Sequence, residues 1–211
     1  MNACLPGDCV AAVVLAAGRS RRMGRPKLGL PWGATTVIGQ VVSVLDAAGL
    51  GELLVVTGAA REEVAACLAG SRARLVHNPH FAEWEMLVSL QAGLAALLEA
   101  PASPAGRPLE AALVCLGDQP QIELGVVQRL LDEFTQGRPG LVFPSYQMRR
   151  GHPWLVARPL WAELLQLSPE RSLRDFVQSH ASAIRYVPVD RPSILKDLDT
   201  PEDWENERPT P

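Results

Sequence analysis

The segment VAAVVLA-AGRSRRMGRPK, residues 10–27, sets the fold class of this chain. Its first part, residues 10–16, is a continuous apolar run of strand length, which is typical of a strand buried on both faces of a parallel sheet. Its second part holds five basic side chains and two glycines. The sequence therefore predicts a buried strand that ends in a basic, glycine-containing loop.

Strand and helix patterns alternate along the rest of the chain. Apolar residues recur at helical spacing after Thr36, and Gly49 is placed to end that helix. The pattern predicts further strands at residues 53–57, 74–77, 111–116, 141–144, 154–156 and 184–187, and further helices at residues 61–68, 87–98, 126–134, 160–165 and 173–180. Short connections between alternating elements indicate an α/β fold, with a mostly parallel central sheet flanked by helices. We expect one domain over residues 1–211.

The composition excludes several classes of protein. Apolar residues make up 47% of the 211 residues and charged residues 20%, which is typical of a globular protein. The net charge of −3 gives no reason to expect a nucleic acid or a membrane surface as partner. The apolar runs are too short to span a bilayer, and the first residues do not resemble a signal peptide. We therefore expect a cytoplasmic protein.

The basic loop after the first strand is suited to bind a polyphosphate. Gly18 and Gly24 allow the backbone to approach an anion closely, and Arg19 and Lys27 can form charge-assisted bonds with phosphate oxygens. The loop is not a P-loop, because Gly24 is followed by arginine, and it lacks the GxGxxG pattern of dinucleotide sites. A solvated basic loop is the alternative, but phosphates bind at this position in open α/β sheets.

Two acidic segments are candidates for a divalent metal site. Asp118 directly follows the apolar strand 111–116, and Mg²⁺ usually takes one or two protein carboxylates together with substrate phosphates. A second acid is available in the segment DLDTPED, residues 197–203, where Asp199 is one choice. The alternative is structural: Asp118 can form a turn, and Thr200 with Pro201 can start a helix.

Three motifs together resemble the MobA-like NTP transferase family, and among its branches the molybdenum cofactor cytidylyltransferases. They are LAAGRSRRMGRPK at residues 15–27, LGDQP at 116–120 and DLDTPED at 197–203. The segments NPHFAEWEMLVSLQAGL (78–94) and RRGHPWLV (149–156) are similar to other parts of the family. The resemblance covers most of residues 10–206 and implies a Rossmann-like nucleotidyltransferase fold.

The resemblance also implies an activity, namely Mg²⁺-dependent transfer of a nucleoside monophosphate from an NTP with release of pyrophosphate. Residues 10–120 would bind the NTP, residues 121–206 the acceptor, and residues 207–211 would form a tail. The residues matched to the family motifs divide into a base-binding group of Leu15, Ala16 and Ala17, a triphosphate-binding group of Gly18, Arg19 and Lys27, a nucleotide-facing Ser89, and the metal-binding Asp118 and Asp199. Lys27, Asp118 and Arg19 would act in catalysis.

The acceptor is predicted from the branch of the family. The sequence LAAG, in place of LAGG, is similar to branches that use CTP and modify the molybdopterin cofactor, so a molybdoenzyme or its maturation chaperone is an implied partner. Arg150 and His152 are candidates to bind the acceptor, and Trp84 is a candidate to contact it. Segment 83–90 and Gln121 depart from the family pattern. The alternatives are GTP as donor, a sugar phosphate or alcohol phosphate as acceptor, or a nucleotide-binding protein without transfer activity.

Overall fold

The structure is a computed structural model that describes residues 7–20, 22–82, 86–99, 106, 108–168 and 170–209. Ten strands and seven α-helices lie within these ranges. The strands are β1 (Val10–Ala16), β2 (Pro31–Trp32), β3 (Thr35–Thr36), β4 (Glu52–Thr57), β5 (Arg74–His77), β6 (Ala111–Leu116), β7 (Leu141–Tyr146), β8 (Arg149–Arg150), β9 (Trp154–Ala157) and β10 (Ile184–Pro188). The helices are α1 (Val37–Ala47), α2 (Arg61–Cys67), α3 (Met86–Glu99), α4 (Leu124–Gly137), α5 (Trp161–Gln166), α6 (Leu173–Ser179) and α7 (Pro201–Glu207).

Eight of the described strands form one sheet in the order β10-β7-β9-β6-β1-β4-β5, with β8 paired to β7. The β1 strand pairs in parallel with β4 and β6, as β5 does with β4 and β10 does with β7. Within the described part of this sheet, the antiparallel pairs are those that involve β8 or β9. The predicted mostly parallel sheet is confirmed, and it brings the carboxyl ends of β1, β4 and β6 to one edge.

Side chains of β1 alternate between two cores, one on each face of the sheet. Val10 and Val14 face one core, whereas Ala11 and Val13 face the other. Helices α1, α4 and α7 contribute to the first core, and α3, α5 and α6 to the second. Burial on both faces explains why β1 is an uninterrupted apolar run. Gly93 permits the close packing of α3, because a Cβ there would lie 2.5 Å from Val13 Cγ1.

Threonine side chains cap helices α1 and α7. Thr36 caps α1, where its Oγ1 accepts the Gly39 N–H at 3.2 Å. Thr200 caps α7 through a reciprocal capping box with Asp203, and Pro201 occupies the first turn. The sequence predicted a helix after Thr36, and a helix start at Thr200 and Pro201 was the structural alternative to a metal role for that segment; both starts agree with the preference for threonine at helix N-termini.

The short strands β2, β3 and β8 were not predicted. Each has two residues, so an alternating pattern cannot develop within them. The β2–β3 hairpin turns at Gly33, whose φ of +56° favours glycine. This hairpin follows the basic loop and leads directly into α1, so it fixes the far end of the loop.

The longest helices in the described part of the chain, α3 and α4, have 14 residues each. A bilayer-spanning helix needs about 20 largely apolar residues. Accordingly, no helix among the described residues has the length and apolar character to cross a membrane.

Candidate active site

A cleft of about 550 Å³ opens at the edge of the sheet where β1 and β6 end. The two loops that the sequence marks as functional, after β1 and after β6, both reach it. It is lined by residues of these loops, of the start of α3 and of the segment before α7. The lining residues are Leu15, Ala16, Ala17, Gly18, Arg19, Ser20, Arg22, Lys27, Leu28, Phe81, Ala82, Met86, Ser89, Leu116, Asp118, Asp197 and Asp199.

The loop after β1 folds back so that Lys27 enters the cleft. Ser20 and Gly24 have φ angles of 50° and 68°, in the left-handed region where glycine is favoured. The Met23 N–H donates to the Ser20 carbonyl at 3.1 Å, and the Lys27 N–H donates to Ser20 Oγ at 3.3 Å. Met23 and Leu28 are buried in the core and anchor the loop on both sides of this turn.

The Lys27 ammonium group lies between two carboxylates from distant parts of the chain. Its Nζ is 2.5 Å from Asp118 Oδ2 and 3.1 Å from Asp199 Oδ1. The side chain of Lys27 is 11% exposed, compared with 20% for Asp118 and 27% for Asp199, so this group is largely shielded from water. The structure thus brings together three residues that the sequence marks separately as catalytic or metal-binding.

Backbone contacts hold the two acids next to each other. The Leu198 N–H donates to the Asp118 carbonyl at 3.0 Å, which ties the segment before α7 to the loop after β6. Asp203 Oδ2 then accepts the N–H groups of Asp199 at 3.0 Å and Thr200 at 2.7 Å. The capping box of α7 therefore also fixes the backbone of Asp199, so helix capping and a role in the cleft coexist in one motif.

Charge crowding shifts two pKa values in this part of the cleft. Burial alone would lower the pKa of Lys27, but Asp118 and Asp199 outweigh that effect, so the pKa is raised above its ordinary value. Burial raises the pKa of Asp197, and the negative charges of Asp118 and Asp199 raise it further. The presence of three nearby carboxylates favours cations at this end of the cleft.

Two arginines extend the positive charge around the loop. Arg22 Nη2 contacts Asp199 Oδ2 at 2.8 Å, and Arg22 is otherwise exposed. The guanidinium of Arg19 lies over the Phe81 ring, 5.5 Å from its centroid, which is within cation–π range. Gly18, between β1 and Arg19, lines the cleft, and a Cβ there would meet no protein atom within 4 Å. That open space suits a ligand that approaches the backbone.

The described side chains of the opposite wall carry no charge of their own, although the Arg19 guanidinium reaches over the Phe81 ring on this side. Phe81, Ala82, Met86 and Ser89 lie on this side, between β5 and the first turn of α3. Because β4 and β5 lie on one side of β1 and β6 on the other, this wall is separated from Asp118 by the end of β1. The predicted base-binding residues Leu15, Ala16 and Ala17, also cleft-lining, lie between the two walls.

The predicted acceptor residues lie outside the cleft lining. Arg150 is exposed in β8, with its guanidinium 5.6 Å from the centroid of the Phe143 ring. The His152 backbone N–H donates to the Ile194 carbonyl at 2.9 Å. Burial lowers the pKa of His152 to about 4, so its imidazole is neutral at pH 7. The His152 side chain could therefore form a hydrogen bond with the acceptor substrate but would contribute no positive charge. Trp84 lies outside the described residues.

The carboxylates of the cleft are candidate ligands for a divalent cation. Within the described ranges, no three His, Cys, Asp or Glu side chains are grouped as a metal cage. Asp118 and Asp199 nevertheless both contact one cationic atom, Lys27 Nζ, and thus converge on a single point. Two carboxylates with open positions fit Mg²⁺ or Mn²⁺ that completes its shell with water and phosphate oxygens.

Comparison with known proteins identifies the family. The model of the MobA-like NTP transferase domain matches residues 12–184. The chain belongs to this family. It is 26% identical over 201 residues to the molybdenum cofactor cytidylyltransferase of Escherichia coli (strain K12), covering 93% of each chain. It is 30% identical over 203 residues to the nicotine blue oxidoreductase of Paenarthrobacter nicotinovorans, covering 92% of this chain and 94% of that one.

A solved structure with the same fold contains a metal. It is the manganese complex of Rv0371c from Mycobacterium tuberculosis H37Rv, with a TM-score of 0.71 and 28% identity. The alignment covers 93% of this chain and 96% of the other. The likeness confirms the Rossmann-like α/β architecture that the motifs imply for a MobA-like NTP transferase.

Some cleft residues of this MobA-like domain were not predicted from the sequence. Phe81 and Asp197 both line the cleft, and Arg22 pairs with Asp199. Each lies within a segment that the family resemblance includes, but nothing in the local pattern distinguishes it from its neighbours. The signal for Asp197 was its spacing of two residues from Asp199, which became informative only when the backbone contact with Asp118 was known.

Proposed function

We propose that the protein is a Mg²⁺-dependent nucleotidyltransferase that transfers CMP from CTP to a small phosphorylated acceptor, the molybdopterin cofactor, and releases pyrophosphate. The observation that carries the proposal is the position of Lys27 between Asp118 and Asp199 at the end of a cleft bordered by a basic loop. The side of Lys27, Asp118 and Asp199 is suited to a triphosphate and its metal, and the less charged side around Ala82, Met86 and Ser89 to a nucleoside.

The expected reaction needs positioning and charge more than covalent help from the protein. An acceptor phosphate oxygen would attack the α-phosphorus in line, and the bond from the α-phosphorus to the bridging oxygen of pyrophosphate would break. Arg19 and Lys27 would bind the triphosphate and offset the charge that develops on the departing pyrophosphate. Asp118 and Asp199 would hold the cation, which supplies charge neutralisation and orients the phosphates.

Lys27 and a divalent cation compete for the same two carboxylates. Both Asp118 and Asp199 are already within hydrogen-bond distance of Lys27 Nζ. When a cation takes these oxygens, Lys27 has to leave them, and the nearest anionic partner is the triphosphate of the nucleotide. Binding of the metal and of the NTP would thus be coupled through Lys27 in this proposal.

The choice of acceptor rests on the relative from Escherichia coli and on the LAAG motif at residues 15–18. In this proposal residues 10–120 bind the NTP, and residues 121–206 bind the acceptor and contribute Asp199. Arg150 and His152 are proposed contacts, the first as a charge and the second as a neutral hydrogen-bonding group. A molybdoenzyme or its maturation chaperone would receive the product. Another phosphorylated acceptor, or GTP as donor, is compatible with the same cleft.

A second candidate function comes from the relative named nicotine blue oxidoreductase, which is 30% identical over nearly the whole chain. Hydride transfer would require a redox cofactor, and the loop after β1 lacks the GxGxxG pattern that binds dinucleotides. The cluster of Lys27, Asp118 and Asp199 is suited to a metal-bound triphosphate, so transfer is favoured over reduction.

The test is a pyrophosphate-release assay with Mg²⁺ and each of CTP, GTP, ATP and UTP, with and without molybdopterin cofactor. We expect release with CTP that depends on the cofactor. A parallel arm follows oxidation of NADH and NADPH with nicotine blue as the electron acceptor. Absence of pyrophosphate with every donor, together with oxidation of a nicotinamide, would favour the second candidate.

A further inference from the structure

The side chain of Asn78 is buried at the end of β5 and its amide orientation is defined. Asn78 is 1% exposed, and its Oδ1 accepts the His80 backbone N–H at 2.9 Å. A backbone N–H can only donate, so the atom facing it must be the amide oxygen. The amide nitrogen therefore points the other way, to Ser89 Oγ at 3.1 Å. Asn78 is thus a hydrogen-bond donor to Ser89.

This orientation determines what Ser89 can offer to a ligand. Its oxygen accepts the bond from Asn78, which leaves the hydroxyl proton available. Among the described residues, the Ser89 hydroxyl donates to no other group. Ser89 is 5% exposed and lines the cleft in the first turn of α3. Ser89 can therefore donate its hydroxyl proton to a ligand in the cleft.

The part of the ligand that meets this donor follows from the charges of the cleft. Lys27, Arg22 and the acids Asp118 and Asp199 lie at the side of β6, where a triphosphate and its cation fit. Phe81, Ala82 and Met86, the described cleft-lining residues on the side of Ser89, are uncharged, and Arg19 lies over the Phe81 ring. A nucleoside would occupy this less charged side, and it carries acceptor atoms on its base and ribose that can receive a bond from Ser89.

We propose that Asn78 is a positioning residue for nucleotide recognition, which holds Ser89 as a hydrogen-bond donor to the nucleoside of the bound NTP. The inference rests on the proposed nucleotide site. It goes further in assigning a polarity: the ligand atom next to Ser89 is an acceptor, and Asn78 sets that preference without touching the ligand.

The test reverses the polarity of this contact. In an Asn78→Asp variant at pH 8, one carboxylate oxygen still accepts the His80 N–H, and the other accepts the Ser89 hydroxyl proton, which then no longer faces the ligand. Dissociation constants for CTP with Mg²⁺ are measured by calorimetry for wild type, Asn78→Asp, Ser89→Ala and the double variant. Inorganic tripolyphosphate, which lacks a nucleoside, is the control ligand for all four proteins.

We expect Asn78→Asp and Ser89→Ala each to weaken CTP binding roughly tenfold, and the double variant to bind no more weakly than the single ones. The affinity for tripolyphosphate should stay within about twofold of wild type in all variants, since Ser89 is proposed to contact the nucleoside and not the phosphates. If the buried charge of Asn78→Asp prevents folding, the Asn78→Ala variant is used in its place. We expect Asn78→Ala to weaken CTP binding less than tenfold when Ser89 is present, and to have no effect on CTP binding when it is combined with Ser89→Ala.

Additive losses, wild-type affinity for CTP in both Asn78→Asp and Asn78→Ala, or equal losses for CTP and tripolyphosphate would overturn the assignment of Asn78. Wild-type protein that binds CTP and releases pyrophosphate would, in that case, still support the proposed function. Failure of the wild-type protein to bind any NTP would instead remove the proposed function, and the inference with it.

Discussion

Among single residues, Lys27 makes the contacts that bear most directly on the proposed reaction. Its ammonium group is nearly buried and is shared by Asp118 and Asp199, which lie far from it in the sequence. The same lysine is the counter-ion of two acids in this structure and the phosphate ligand in the proposed reaction. Predictions for individual residues follow from this double role.

Replacement of Lys27 by methionine should change metal and nucleotide binding in opposite directions. Loss of the competing charge should tighten Mn²⁺ binding to the nucleotide-free protein roughly tenfold, whereas CTP binding and turnover should fall. Calorimetry and Mn²⁺ titration measure both effects. Arg25→Met is the matched control, because Arg25 lies in the same loop but its guanidinium is over the Trp204 ring. Weaker Mn²⁺ binding in Lys27→Met would show that lysine and metal do not compete.

Asp118→Asn should remove most of the activity and leave the fold intact. The substitution keeps the shape of the side chain but removes one of the two charges proposed to hold the metal. We expect turnover to fall by about 100-fold or more, with a modestly lower melting temperature, because weaker repulsion among the neighbouring carboxylates only partly offsets the loss of the Lys27–Asp118 ion pair. Asp190→Asn, at an exposed position, is the control. Turnover of Asp118→Asn close to wild type would contradict the metal assignment.

His152 should make the fold less stable in mild acid. Its folded-state pKa is about 4, below the ordinary value near 6.5, so between these values the unfolded chain binds a proton that the folded chain does not. This effect should lower the free energy of unfolding by roughly 2 kcal/mol from pH 7 to pH 5. Denaturant unfolding of wild type and His152→Gln measures it. The variant should lose less stability over this range, and parallel pH profiles would contradict the prediction.

Among the secondary-structure elements, α7 connects the structure to the cleft. Its capping box with Thr200 and Asp203 also binds the Asp199 N–H, and the Leu198 N–H binds the loop after β6. The Trp204 indole N–H donates to the Pro31 carbonyl at 3.0 Å, so α7 is also joined to the β2–β3 hairpin at the end of the basic loop. A short helix thus connects two of the loops that form the cleft.

Removal of the α7 cap should affect both stability and turnover. Asp203→Ala frees the backbone of Asp199 and Thr200, and we expect a melting temperature about 2–4 °C lower with a clear fall in kcat. Asp175→Ala is the matched control, because Asp175 forms the equivalent capping box with Ser172 in α6, away from the cleft. Thermal melts and kinetics compare the two. Equal kcat in both variants would show that the cap does not position Asp199.

For the molecule as a whole, the sequence predicts the framework better than the contacts of the cleft. The strands β1, β5 and β6 were predicted with the bounds that the structure has, because β1 and β6 are runs of apolar residues between clear breaks and β5 ends directly before the Asn78-Pro79 breaker. The pairing of Lys27 with Asp199 spans 172 residues, and no periodic pattern reports a contact at that separation. The family resemblance pointed to the right segments, but the ion pairs and backbone bonds among them required the folded chain.

The decisive measurement follows the α-phosphorus of CTP. Wild-type protein is incubated with Mg²⁺, molybdopterin cofactor and CTP labelled at the α-phosphate, and both labelled product and pyrophosphate are quantified. We expect label in the acceptor and pyrophosphate in equal amounts, with neither formed by Asp118→Asn. Label that remains in CTP with every phosphorylated acceptor tried, while the protein binds CTP normally, would contradict nucleotidyl transfer.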